Sequence, residues 1–532
     1  MNPSDILDFW FEGEKDYNEF WFDRTKDSYI TSTYSEILHE LEKKEEIYNN
    51  WTCTDEGTFA AIIVFDQFSR SIYRGKSDYN KNDEIAFSLS KRLLNNRYDV
   101  EIPLSKRIFL LLPFRHQKDS NLLDIVMEKL EKYENELGPS SLLTRFRKAT
   151  IMSYTPLTDR IEMMSSNHPF HLSEYEDVLD PKCMEYKVDE SNEYLSRLSE
   201  IVTYPLYKTL QSFIIERRIK NIGVSLSGGV DSMVICFLLR ILKIRGEIEN
   251  VYAMHLEYKN RKESPRETEM ISLFCGMIDV PLFIRSIYYM KRETTERSFY
   301  EEETRKIRFA TYQHLSEKYN ISGWCLGHHH GDLSENVLMN LCNGRDILDL
   351  TVMKKDSTME GVKLYRPLLE RPKIDIYHTA HDYHIPYTKD TTPDWSCRGV
   401  IRRKLLPAMK DQWKMIEQNL TEIGKQSEEW SYVVDTFVME PLKKTIKMNS
   451  SRDTVEFIVK KEYSNLPKVV WMNLFLYIFH NMGVNMISRK NLSHFMDMFT
   501  RNIEKQHRFM FSNDCIGFFM GESKLKIVKI NK

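Results

Sequence analysis

One short run constrains this chain more than any other: Ser225-Leu226-Ser227-Gly228-Gly229-Val230-Asp231-Ser232. It follows the apolar Ile222-Gly223-Val224 and precedes a long apolar segment from Met233 to Leu242. A β-rich run, two glycines between serines and a helix-like pattern together predict a strand, a tight turn and a helix N-terminus. The unpaired N–H groups and dipole at such a terminus favour an anion. The expected element is therefore a phosphate cradle.

The chain around it alternates in type. Apolar runs predict strands over 222–227, 250–256, 281–287 and 322–327, and helical spacing predicts helices over 231–243, 265–278, 299–318 and 332–343. Such alternation argues for a parallel sheet covered on both faces, with ligands at the carboxyl ends of the strands.

The cradle is not a Walker A loop, because no lysine follows the glycines. It resembles S-G-G-x-D-S, the PP-loop of the N-type ATP pyrophosphatases. That resemblance implies an adenine nucleotide alpha hydrolase-like α/β domain that splits ATP into AMP and pyrophosphate. Ser227, Gly228, Gly229, Val230, Asp231 and Ser232 are then the expected ATP-binding residues, with Asp231 as the expected Mg²⁺ organiser.

Further motifs narrow the resemblance. Tyr300 to Phe309 carries Glu301, Arg305 and Arg308 at i, i+4, i+7 spacing, on one helical face. Gly327-His328-His329-His330-Gly331-Asp332-Leu333-Ser334-Glu335-Asn336 resembles G-H-H-x-D-D-x-x-E-T, with Gly331 in place of the first Asp. Tyr365 to Leu369, Lys389 to Asp394 and Arg398 to Pro407 are similar to the R-P-L-L, E-D-P-S-N and R-N-x-x-R-x-x-x-x-P segments of the tRNA(Ile)-lysidine synthetases, with Gly399 where that family has Asn.

This resemblance implies Asp231, Asp332, Arg305 and Arg308 as catalytic residues, and His255 and His329 as nucleotide contacts. Arg261, Arg398 and Arg402 are the expected contacts to tRNA or phosphate. It further implies a tRNA base carbonyl, cytidine C2, that is adenylated and then attacked by free lysine to give lysidine. The alternatives are a tRNA thiolase-like enzyme and a non-catalytic nucleotide-binding scaffold. Thiolating relatives use cysteine pairs, and none of the eight cysteines here forms a C-x-x-C.

At 532 residues the chain is too long for one ordinary core. Residues 1–150 read as an all-helical domain, from Ile6-Leu7, Phe59 to Phe68, Ile85 to Leu94 and Ile108 to Phe114. Their aromatic and Leu-Pro-Phe-Arg-His motifs resemble a TPR-like all-α family of unassigned function. Asp66, Arg70, Arg74, Arg115 and His116 lie among aromatic positions expected to be buried, so they must pair with one another or bind something. Pro and Gly breakers mark 151–199 as a linker with short helices. The PP-loop domain is expected over 200–410, and an α+β region over 411–532.

From Arg398 to Lys532 there are about 23 Lys and Arg against about 14 Asp and Glu, a basic end on a chain of net charge −3. A phosphate-rich partner such as tRNA would favour that end. The scattered cysteines, and the lack of a long apolar run or a signal-like N-terminus, lead to the expectation of reduced thiols, a cytoplasmic location and no membrane. A protein partner through the helical domain and a homodimer are both left open.

Overall fold

In a computed structural model, the structure describes residues 1–11, 21, 24–164, 172–184, 198–259, 262–292, 294–351, 353–392, 394, 396–458, 466–485, 487–502, 507–512, 514–520 and 524–530. They divide into two compact units, Met1–His330 with Lys355–Thr391, and Gly331–Lys354 with Thr392–Lys532.

The first unit begins with helices, including Pro3–Trp10, Asp27–Lys43, Asp55–Ile62, Asp83–Asn95, Leu104–His116, Ser120–Leu137 and Ser141–Tyr154. Side-chain caps start several of them: Thr54 accepts from Gly57 N–H, Asp119 from Leu122 N–H and Ser140 from Leu143 N–H. Each cap satisfies a donor that the first helical turn leaves open. Trp10, Leu38, Phe59, Phe65, Phe68 and Leu111 fill the core between these helices.

The sheet of this unit has seven strands: β1 Ile161–Met164, β2 Asn221–Ser225, β3 Asn250–Glu257, β4 Leu282–Ser286, β5 Trp324–Cys325, β6 Asp356–Met359 and β7 Val362–Tyr365. Their spatial order is β1-β4-β3-β2-β5-β7-β6. The inner five run parallel, and the two edge strands are antiparallel to their neighbours. Helices Val230–Ile244, Ser264–Met277 and Arg297–Tyr319 connect the parallel strands. The sequence pattern anticipates β2 to β5 and their helices; β1 and the β6–β7 hairpin are additions to it.

The helical part is joined to this sheet through a packed contact. The cut at residue 150 falls inside Ser141–Tyr154, and β1, four residues long, pairs with β4 in the stretch read as linker. Tyr154 stacks on Tyr289 with centroids 3.7 Å apart, and its carbonyl accepts from Arg285 Nη2 at 2.8 Å. Tyr288 Oη donates to Asp124 at 2.6 Å. Leu123 and Ile151 share a core with Met254, Phe283 and Ile287 of the sheet layer.

The second unit holds a five-stranded antiparallel sheet of β8 Lys447–Met448, β9 Thr454–Ile458, β10 His507–Ser512, β11 Cys515–Phe519 and β12 Lys524–Lys529, in the order β10-β11-β12-β9-β8. Helices Lys468–Met482 and Arg489–Asn502 supply Trp471, Phe475, Phe479 and Phe495 to a core with Phe509, Phe511 and Phe519. The α+β expectation holds, with β8 and β9 added. A smaller cluster within this unit joins Val337 and Leu338 to Ile401, Leu406 and Leu420. Among the described residues no helix is long and apolar enough to cross a membrane.

Candidate active site

The loop after β2 is shaped by its own hydroxyls. Ser232 Oγ accepts from Ser227 N–H at 3.1 Å and donates to Gly229 O at 3.0 Å, while Ser227 Oγ accepts from Gly229 N–H at 3.3 Å. Gly228 sits at φ +85°, a left-handed conformation that disfavours any side chain. Its carbonyl accepts from Thr388 N–H at 2.8 Å. Helix Val230–Ile244 starts directly after the second glycine, so its open N–H groups lie at the loop.

Asp231, in the first turn, is held by a residue the sequence motifs do not mark. Lys373 Nζ donates to both carboxylate oxygens at 2.6 Å. Lys373 opens helix Lys373–Asp382, 142 residues away in sequence. His329, buried, brings Nε2 within 3.9 Å of Asp231 Oδ1.

The segment after β5 lies directly against the loop. A Cβ placed on Gly327 would stand 2.9 Å from both Asp231 Cβ and Ser232 N. Glycine is therefore required here by close approach. The neighbouring histidines have separate partners, since His328 Nδ1 accepts from Arg366 Nε at 3.1 Å. They do not converge on one point, and among the described residues no group of three or more His, Cys, Asp or Glu is arranged to hold a metal.

His255, at the end of β3, lies beneath the loop. Nδ1 pairs with Leu226 O at 2.8 Å and Nε2 with Thr268 Oγ1 at 3.1 Å. Burial holds its basicity below the ordinary histidine range, with the Leu226 carbonyl opposing that shift. Both nitrogens are thus engaged in supporting the turn.

The arginines of helix Arg297–Tyr319 diverge. Arg308 Nη2 donates to Tyr258 Oη at 2.7 Å, just past the end of β3. Arg305 is exposed and pairs with Glu360 at 3.4 Å, in the β6–β7 turn. Glu301 pairs with Arg297 at 2.8 Å, so the i, i+4, i+7 set does not close on itself. Arg261 lies outside the described residues.

In the second unit, four charged side chains form one cluster. Arg398 reaches Asp332 at 2.5 Å and Glu335 at 3.2 Å; Arg402 reaches Glu335 at 2.6 Å and Asp332 at 3.4 Å. The carboxylates are buried, whereas the Arg398 side chain is 44% exposed and that of Arg402 32%. The acids are inside and the guanidinium edges face outward. Arg402 stands on a π-helical turn, Ile401–Leu405, a distortion that recurs at functional sites.

With this geometry in view, the likenesses to known proteins are informative. Residues 202–409 match the PP-loop domain family, and residues 6–160 match a family described as a bacterial protein of unknown function (DUF924). The chain is 32% identical over 235 residues to a tRNA(Ile)-lysidine synthase of Chlamydia felis, covering 44% of this chain and 72% of that protein. With the tRNA(Ile)-lysidine synthase of Chlamydia abortus it is 28% identical over 298 residues, covering 54% and 88%. Among solved structures, the U34-tRNA thiolase NcsA from Methanococcus maripaludis aligns at 18% identity and a TM-score of 0.35, over 42% of this chain and 78% of that one. The sheet order, the serine-built loop and the relatedness at 32% identity lead to one conclusion: the chain belongs to the PP-loop family of the tRNA(Ile)-lysidine synthases.

Proposed function

We propose that the chain is an ATP-dependent tRNA-modifying enzyme, acting in the cytoplasm, that adenylates a base carbonyl and installs an amine. The observation that carries this reading is the cradle itself: loop amides and a helix N-terminus at the carboxyl end of β2, with Asp231 in the first turn. The pyrophosphate portion of ATP rests on the open amides at the start of helix Val230–Ile244, because the Ser227 and Gly229 N–H groups are held by the loop's own hydroxyls. The base oxygen, cytidine O2 by likeness to the relatives, attacks the α-phosphorus and pyrophosphate leaves. The ε-amine of free lysine then attacks C2, loses a proton, and AMP departs with the oxygen.

Within that scheme His255 holds the turn, and His329 stands on the Asp231 side of the nucleotide. Arg308 is assigned to charge that develops near the end of β3, and Arg305, more exposed, to substrate phosphate. Asp332 and Glu335 fix Arg398 and Arg402, whose outer edges meet tRNA phosphates. In this reading Asp332, expected from its motif to be catalytic, has a positioning role.

A Mg²⁺ ion fits the donor set. Such an ion takes one or two carboxylates and completes its shell with phosphate oxygens and water, so Asp231 is sufficient from the protein. When bound it would neutralise phosphate charge. Lys373, which donates to both Asp231 oxygens, would have to yield one of them to such an ion.

The test is AMP release from ATP by the purified chain with bulk tRNA and lysine. Release that needs both co-substrates, and that Asp231→Ala abolishes, is the expected result. AMP release indifferent to tRNA, or unaffected by that substitution, would refute the reading.

A further inference from the structure

We propose that the N-terminal helical module binds a small organic anion, with the anionic head on Arg115 and a flat apolar body among aromatic walls. The site is a cavity of about 550 Å³ within the helices, apart from the PP-loop. Trp10, Trp21, Phe109 and Phe146 give it apolar walls, and Arg70, Arg74, Arg115, Arg145 and His116 line it with cationic or protonatable groups. A volume of this size, mostly apolar with a few convergent polar groups, is the usual form of a small-molecule site.

The charge balance around it is uneven. Arg70 reaches Asp83 at 2.5 Å and Asp66 at 3.5 Å, His116 Nδ1 meets Asp66 Oδ1 at 2.7 Å, and Arg74 pairs with Asp27. Burial alone would push the Asp66 carboxyl up, yet His116, Arg70 and Gln67 together hold it below the usual carboxylate range. These groups are mutually satisfied. Arg115 is different: among the described residues it has no hydrogen bond or ion pair, and its guanidinium lies 4.7 Å from the centroid of the Phe146 ring.

Burial pulls Arg115 down to about 10, with Asp66 opposing and Arg70 adding to the effect. Arg115 is half-buried at the cavity wall, and a partly desolvated cation with no paired acid is placed to take an anion from a ligand. Arginine also suits the task, because its planar fork matches carboxylate and phosphate oxygens two at a time. The helix that carries Asp66 is distorted into a π-turn over Ile63–Phe68, as helices often are beside functional sites.

The test is calorimetric titration of the full chain with phenyl phosphate and phenylacetate, using benzyl alcohol as the uncharged counterpart. The expected result is binding of at least one anion about tenfold or more tighter than the alcohol, as a charge-assisted bond to arginine implies. Arg115→Leu should lose that preference, Arg115→Lys should keep part of it, and AMP release by both variants should equal that of the parent. The proposal is overturned by no binding of either anion at millimolar concentration, or by equal binding of anion and alcohol. Unchanged anion binding in Arg115→Leu overturns it too, since the anion would then lie elsewhere, at the PP-loop for instance.

Discussion

Two arginine-rich sites in this molecule solve the problem of buried charge in opposite ways. In the cluster of Asp332, Glu335, Arg398 and Arg402, two acids face two guanidinium groups, and each arginine reaches both acids. In the N-terminal cavity the carboxylates of Asp27, Asp66 and Asp83 are taken by Arg74, Arg70 and His116, and among the described residues Arg115 has no acid paired to it and faces an aromatic ring. The first is complete without a ligand and positions its outward edges. The second is incomplete until an anion arrives. Charge balance, more than the count of arginines, separates a scaffold from a binding site.

The largest expected difference between the regions is in turnover. Asp231→Ala removes the carboxylate beside the phosphate cradle and should lower AMP release by about 100-fold or more, the scale on which a preorganised electrostatic contact acts. Arg115→Leu should leave the rate unchanged. A comparable loss in Arg115→Leu would break the separation of the two sites.

Next in size is the cost of unbalancing the closed cluster. Glu335→Leu leaves Arg402 and Arg398 sharing one buried acid and should destabilise the second unit by about 3 kcal/mol. Faster amide hydrogen exchange in helix His330–Cys342 would report it. By contrast, Arg115→Leu removes a charge that is already unbalanced, and should stabilise the ligand-free helical module by about 1 kcal/mol, read as slower exchange in helix Leu104–His116. Opposite signs at the two sites are the signature of the difference; equal losses would remove it.

Between these lies Gly327→Ala. Its Cβ would meet Asp231 Cβ and Ser232 N at 2.9 Å, closer than real contacts allow. The segment must shift at a cost of about 2 kcal/mol, and KM for ATP should rise with little change in the helical module. An unaltered KM would show that the close approach has no part in nucleotide binding.

Much of this was legible because local signals agreed. Ser225 to Ser232 announces a strand, a turn and a helix within eight residues, and β2 to β5 alternate with amphipathic helices of ordinary length. The edge strand β1 escaped because Ile161–Met164 is four residues long and mostly exposed, so no apolar alternation marks it. The hairpin of β6 and β7 is as short, and one of its strands is largely polar. Lys373 was invisible for another reason: its pairing with Asp231 spans 142 residues, and nothing local distinguishes it from a surface lysine. Asp332, Arg398 and Arg402 could be picked singly from their motifs, but that they neutralise one another is a fact of packing. For Asp66, Arg70, Arg74, Arg115 and His116 the sequence posed the right alternative, pairing or ligand. The structure divides the answer: among the described residues four of them are paired and Arg115 is not.

The central claim is that the cradle serves tRNA modification, and nucleoside mass spectrometry of tRNA incubated with the purified chain, ATP, Mg²⁺ and isotopically labelled lysine tests it most directly. The account predicts a modified cytidine that carries the lysine label and is absent with Asp231→Ala. A sulfur-bearing base, or tRNA with no new nucleoside while ATP is still consumed, would contradict it.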